Sequence, residues 1–132
     1  MRRPSLPTLV LVALVASGVP AAAQEPNFGR AVTMTVGDLF IGQPVNWYGP
    51  GTVYAYRAAG EAWGDPQLLT APDSSRMDDF GRALASEGNT LVIGAQRKYD
   101  GAGATYVFTR SSSTAPWVYD AVLDGRTLAT DA

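Results

Sequence analysis

Hydrophobic positions along this chain come in short bursts. Beyond an apolar run over residues 9–16, segments rich in Val, Thr, Tyr, Phe and Trp are separated by stretches containing Gly and Pro. No long stretch repeats its apolar residues every 3.6 positions, so little helix is expected and β-strand should dominate. The pattern predicts strands over about residues 30–35, 39–43, 52–57 and 63–69, then again over 82–86, 90–95, 104–110 and 117–123. The "EGN" at residues 87–89 reads as a tight turn, while the Gly-rich "QPVNWYGPG" and "QRKYDGAG" read as longer loops. The segments "DLFIGQ" and "TLVIGA" are continuously apolar, as expected of strands covered on both faces.

The two sets of four strands are copies. Sliding the sequence by 52 positions pairs residues 28–57 with 80–109 without a gap, and ten of the thirty pairs are identical. Ordinary residue usage gives roughly two by chance. A further two-residue insertion pairs Trp63 with Trp117 and Leu69 with Leu123. A period of fifty-odd residues points to a propeller or solenoid unit. Four strands joined in succession by loops form an antiparallel meander, the blade of a propeller. Gly42 and Gly94, repeated within the second strands, mark places where a neighbouring backbone should come close. Trp63 and Trp117, at the start of the fourth strands, are expected to pack between blades.

The motif residues are Phe28-Gly29 and Phe80-Gly81, then "FIGQ" and "VIGA", then "GTVYAY" and "GATYVF". In this combination they resemble the FG-GAP repeat of integrin-α-type β-propellers, in its bacterial form. Gln43-Pro44 stands where that repeat usually has Ala-Pro. The resemblance covers most of the chain beyond residue 23. It implies an all-β fold of two four-stranded antiparallel meander blades, an incomplete propeller, with Phe28, Gly29, Phe80 and Gly81 in structural roles.

Residues 1–23 have the layout of a cleaved secretory signal. Arg2 and Arg3 precede the apolar run, and Ala21 and Ala23 form a small-residue cleavage site. The run is about half the ~20 residues a membrane span needs, so no membrane span is expected. The remaining chain divides into repeats at residues 24–77 and 78–132. Loss of the two arginines moves the formal charge from −2 to about −4, which offers no basic footprint for nucleic acid. With no cysteine there is no disulfide framework, which suits an exported bacterial protein, periplasmic or extracellular.

Candidate chemistry is sparse. There is no His and no Cys, and Asp78 and Asp79 are adjacent, so their side chains should diverge. No enzyme activity and no cofactor are expected. Many FG-GAP repeats hold calcium in an acidic loop between the first and second strands. Here that interval offers only Asp38 in one copy and Glu87 in the other, too few oxygen ligands for the ion. The acidic stretch "APDSSRMDDFG" reads as a solvated connection between blades, with Asp79 turning the chain into Phe80.

Binding has better support. In an up-and-down meander the loops between second and third strands share one face with the connection into the next blade. That face would carry Trp47, Tyr48, Arg97, Lys98 and Tyr99, a mixture of aromatics and cations enriched at recognition surfaces. The resemblance implies the same face for ligands. The expectation is a secreted binding or scaffolding module for a protein or glycan partner. Alternatives are a purely structural repeat segment and a non-catalytic part of a larger extracellular hydrolase. Two blades fall short of the four to eight of a closed propeller. A fragment of a longer protein is the favoured explanation, ahead of a ring of copies or a face-to-face sandwich. Exposed blade faces are a route to self-association.

Overall fold

The computed structural model describes residues 27–44 and 49–128. The expected signal at residues 1–23, and Trp47 and Tyr48, lie outside the described residues. The first sheet is built from β1 (Ala31–Thr35), β2 (Asp38–Gln43), β3 (Thr52–Ala59), β4 (Ala62–Trp63) and β5 (Gln67–Leu69). The second holds β6 (Phe80–Glu87), β7 (Thr90–Ala95), β8 (Ala104–Thr109) and β9 (Val118–Asp124). Among the described residues, helix is confined to a 3-10 turn at Tyr99–Gly101 and one turn, α1, at Gly125–Leu128. Each sheet is an antiparallel meander in sequence order, β1-β2-β3 followed by β4 and β5, and β6-β7-β8-β9.

The fold is all-β, with two four-stranded meander blades. In the first, the fourth strand is broken into β4 and β5, both paired with β3. Gly64 and Pro66 lie in the gap; proline has no N–H to give a ladder, and Gly64 N–H bonds Arg57 carbonyl instead (2.9 Å). Two-residue turns join the first and second strands of both sheets, pairing Thr35 with Asp38 and Glu87 with Thr90. Gly37 and Gly88 supply positive φ there.

Cross-strand register shows which side chains share a face. Phe40 lies opposite Ala55, and Gly42 opposite Val53, which in turn lies opposite Leu69. This face packs on Leu91, Ile93, Ala95, Tyr106 and Phe108 of the second sheet, forming one buried cluster with Phe80 and Trp117. β1, β2 and β3 of the first sheet all contact β6. A fully buried Leu, Ile or Phe is worth roughly 1.5–3 kcal/mol relative to exposure, so this shared cluster dominates the cohesion between the sheets.

The repeat offset gives the packing a direction. Phe40 corresponds to Val92 in sequence, yet Phe40 is buried between the sheets while Val92 lies on the outer face of the second. Leu39 and Ile41, half-buried on the first sheet's outer face, correspond to the fully buried Leu91 and Ile93. Each sheet therefore presents one face forward and the other backward, as blades in a propeller do. The second strands were expected to be covered on both faces. Instead each has one face fully buried and the other half-buried, because one inter-sheet interface is present among the described residues.

The backbone approach expected at Gly42 is present. A Cβ there would overlap the Gly81 carbonyl oxygen, and one on Gly51 would overlap that of Phe80. Gly94 differs: its nearest neighbour is Ala83 Cβ, 3.3 Å from where a Cβ would stand, within its own sheet. Trp117 is 3% exposed and stacks edge-on to Phe40 at 5.1 Å, while its backbone N–H and carbonyl bond the Gln67 side chain at 2.9 and 2.7 Å. Trp63 does not pack between blades; it is 47% exposed on β4. Phe28 is likewise 52% exposed where Phe80 is fully buried. For both residues, the sheet that would play the covering part is not among the described residues.

Candidate functional site

Beside the sheet-to-sheet connection lies a cleft of about 870 Å³. One wall is the connection, with Asp73, Ser75, Arg76, Met77 and Asp78; the other is the β7–β8 loop from Arg97 to Gly101. In an up-and-down meander these two segments share one face, and the structure brings Arg97, Lys98 and Tyr99 to the cleft.

Both walls are held by local backbone bonds. Gly103 N–H donates to the Lys98 carbonyl at 2.9 Å, Lys98 N–H to Ala95 at 3.2 Å, and Arg97 N–H to Asp78 at 3.3 Å. Tyr99, Asp100 and Gly101 follow one another at φ 54°, 57° and 93°, and Met77 across the cleft stands at 67°. Left-handed backbone at a side-chain-bearing residue costs on the order of 1 kcal/mol or more, and persists where surrounding contacts over-determine it.

Lys98 supplies those contacts. Its side chain is 4% exposed, and Nζ donates to Asp78 Oδ2 at 3.0 Å and to the Asp73 backbone carbonyl. The sequence reading offers this ammonium to a ligand. The structure instead spends it inside the protein, because a desolvated ammonium requires partners. Asp78 also accepts from Ser75 N–H at 2.6 Å.

Asp73 is the second hub. Its Oδ1 accepts from Tyr106 Oη at 2.7 Å and its Oδ2 from Tyr99 Oη at 2.8 Å. Burial acts to raise the Asp73 carboxyl, but the two tyrosine hydrogen bonds and the Lys98 charge outweigh it and hold it below the ordinary value. Tyr106 is pushed far upward, by burial first and then by its bond to Asp73. Tyr99 is raised chiefly by its bond to Asp73. The Arg126 guanidinium covers the Tyr99 ring at 3.6 Å, and the Asp124 carboxylate fixes that arginine through bonds of 2.5–3.0 Å.

The connection was read as solvated, but Asp78 and Asp79 are 5% and 1% exposed. Their side chains do diverge: Asp78 faces Lys98, while Asp79 accepts from Gln96 at 3.1 Å and lies 3.7 Å from Arg82. Asp79 also has φ 59°, the turn into Phe80. Arg76 and Arg97 remain exposed at the rim, with no hydrogen-bond or ion-pair partner for either side chain among the described residues.

Asp38 was weighed as a calcium ligand but sits 2% exposed in an inter-sheet ion pair. Arg110 Nη1 bonds its Oδ2, and Arg57 Nε bonds its Oδ1 at 3.3 Å. Arg110 also bonds Asn89 at 2.9 Å and lies over the Trp117 ring at 4.7 Å. The sequence distance of 72 residues between Asp38 and Arg110 hid this pairing. Among the described residues, no three acidic side chains group as a metal site, and no helix is long and apolar enough to cross a membrane.

Two tandem meanders packed forward face to backward face, with Phe80-Gly81 seated on glycines of the preceding sheet, define a pair of β-propeller blades. A model of the FG-GAP repeat family matches residues 63–108, spanning the inter-sheet connection, Phe80-Gly81 and the cleft's second wall. Residues 63–108 are thus similar to an FG-GAP repeat, in keeping with the paired-blade architecture. No match was found among curated proteins.

Proposed function

We propose that this chain is a secreted, non-catalytic recognition module that binds a carboxylate-bearing partner at the cleft between the inter-sheet connection and the β7–β8 loop. The observation that carries this reading is the pair of exposed arginines, Arg76 and Arg97, on opposite walls of a cleft whose backbone is held in strained conformations. Strain at a cleft points toward function when surrounding contacts maintain it. Guanidinium groups match carboxylates in a two-pronged geometry. Tyr99, with one ring face under Arg126, adds an aromatic edge to the same rim. FG-GAP repeats are typically extracellular, and the signal-like residues 1–23 agree with export. The absence of His and Cys from the sequence favours binding over catalysis.

The test is titration with poly-glutamate and polygalacturonate, which separate a peptide from a glycan source of carboxylates, with dextran as the neutral control. Binding to one polyanion should weaken at least about tenfold in an Arg76→Ala, Arg97→Ala double variant, with little change in melting temperature. Equal binding of dextran, or undiminished binding by the double variant, would sink the proposal in favour of a purely structural repeat.

A further inference from the structure

The internal interface is a template for a second one. Between the sheets, Phe80 and Gly81 enter a seat made by Gly42, Gly51 and Val53, and Phe80 N–H bonds the Pro50 carbonyl at 3.0 Å. The repeat offset maps that seat onto Gly94, Gly103, Thr105 and Ala102. These four residues line a single open groove of about 410 Å³ on the outer face of the second sheet. Leu123, the counterpart of the buried Leu69, lies in the same groove and is 63% exposed.

The matching plug stands on the opposite outer face. Phe28 packs edge-on to Tyr54 at 5.2 Å and 72°, as Phe80 does to Tyr106 at 5.4 Å and 68°. Gly29 has φ 85° against 92° for Gly81, and Asn27 and Asp79 both have positive φ. Arg30 N–H closes a turn onto Asn27 carbonyl at 3.0 Å, as Arg82 closes one onto Asp79 at 3.1 Å. Around the plug, Val32, Met34 and Leu68 are each more than half exposed.

The plug is therefore preformed in the geometry it adopts inside the chain, and on the opposite face Gly94 stands open in the groove, with Gly125 packed beside it on the Ala102 and Gly103 carbonyls. We propose that a second copy of this chain docks head to tail, its Phe28-Gly29 turn entering the Gly94–Gly103 groove. The contact is heterologous, so it propagates until rotation closes it.

Sedimentation velocity of the full chain from about 1 to 100 μM tests this by mass action. Wild type should shift from monomer to a closed oligomer. Phe28→Asp disables the plug. Gly94→Ala places a Cβ where the incoming glycine carbonyl must lie, by analogy with Gly42. Each variant alone should lose association at least about tenfold. Their mixture should give a one-to-one dimer and nothing longer, since one intact plug and one intact seat remain. A wild type that stays monomeric overturns the proposal, as does an oligomer that survives both substitutions. If Phe28→Asp loses its β-sheet circular dichroism, Gly94→Ala and hydrogen exchange decide: protection over residues 94–105 of wild type must rise with concentration, and its constancy overturns the proposal.

Discussion

Gly42 and Gly94 occupy equivalent positions, yet the structure gives them unequal surroundings. Gly42→Ala forces a Cβ into the Gly81 carbonyl and should destabilise the chain by about 1–3 kcal/mol, as overpacking does. Gly94→Ala should stay within about 1 kcal/mol in dilute monomer, because only the Ala83 methyl must give way. Urea denaturation of both variants reads the difference. Arg110→Met leaves the buried Asp38 with Arg57 alone and should cost about 3 kcal/mol by the same measurement. Asp73 and its tyrosines set the pH response. The folded carboxyl lies below its unfolded value, so its contribution is present above about pH 4 and lost as pH falls through the folded value. Tyr106 and Tyr99 are raised, so theirs is present below about pH 10 and fades as pH rises beyond it. Melting temperature against pH should therefore decline at both ends, and Asp73→Asn should flatten the acid limb.

At the scale of elements, the fourth strands differ most. β9 is continuous because its backbone donors are intact, whereas Pro66 interrupts the corresponding strand between β4 and β5. The two tryptophans that open these strands separate accordingly in burial. Trp117→Ala removes a ring packed on Phe40 and Arg110 and should cost about 3–5 kcal/mol, while Trp63→Ala should cost about 1 kcal/mol or less. Paired thermal melts would expose any parity between them. The 3-10 turn at Tyr99–Gly101 has no equivalent in the apolar pattern. Its conformation depends on Lys98 being held by the connection from the preceding sheet.

Across the whole molecule, one hydrophobic cluster draws on both sheets, and the Asp38–Arg110 pair, the Gln67–Trp117 bonds and the Thr33–Ser86 hydroxyl contact at 2.9 Å cross the same interface. Among the described residues neither sheet has a separate core. Unfolding should therefore be a single cooperative transition, with circular dichroism and tryptophan fluorescence tracing coincident curves. Two resolved transitions would mean that the sheets fold independently.

Much of this architecture was legible in the sequence, since alternation, turn residues and a repeated motif act locally or at a fixed offset. Strand β7 begins and ends where its apolar run does, and the 52-residue offset places Gly42 and Gly94 in matching register. The shared face of Arg97, Lys98 and Tyr99 followed from meander geometry alone. What the sequence could not assign was partnership. Lys98 looked like a free cation and Asp78 like a solvated acid, and Asp38 had no visible counter-charge. Each is buried because a group from a distant segment reaches it, and burial of charge is decided by that meeting rather than by neighbours along the chain. Local pattern fixed which residues become strand; only the packing of one sheet on the other decided which charges bind the fold and which, like Arg76 and Arg97, stay open to solvent.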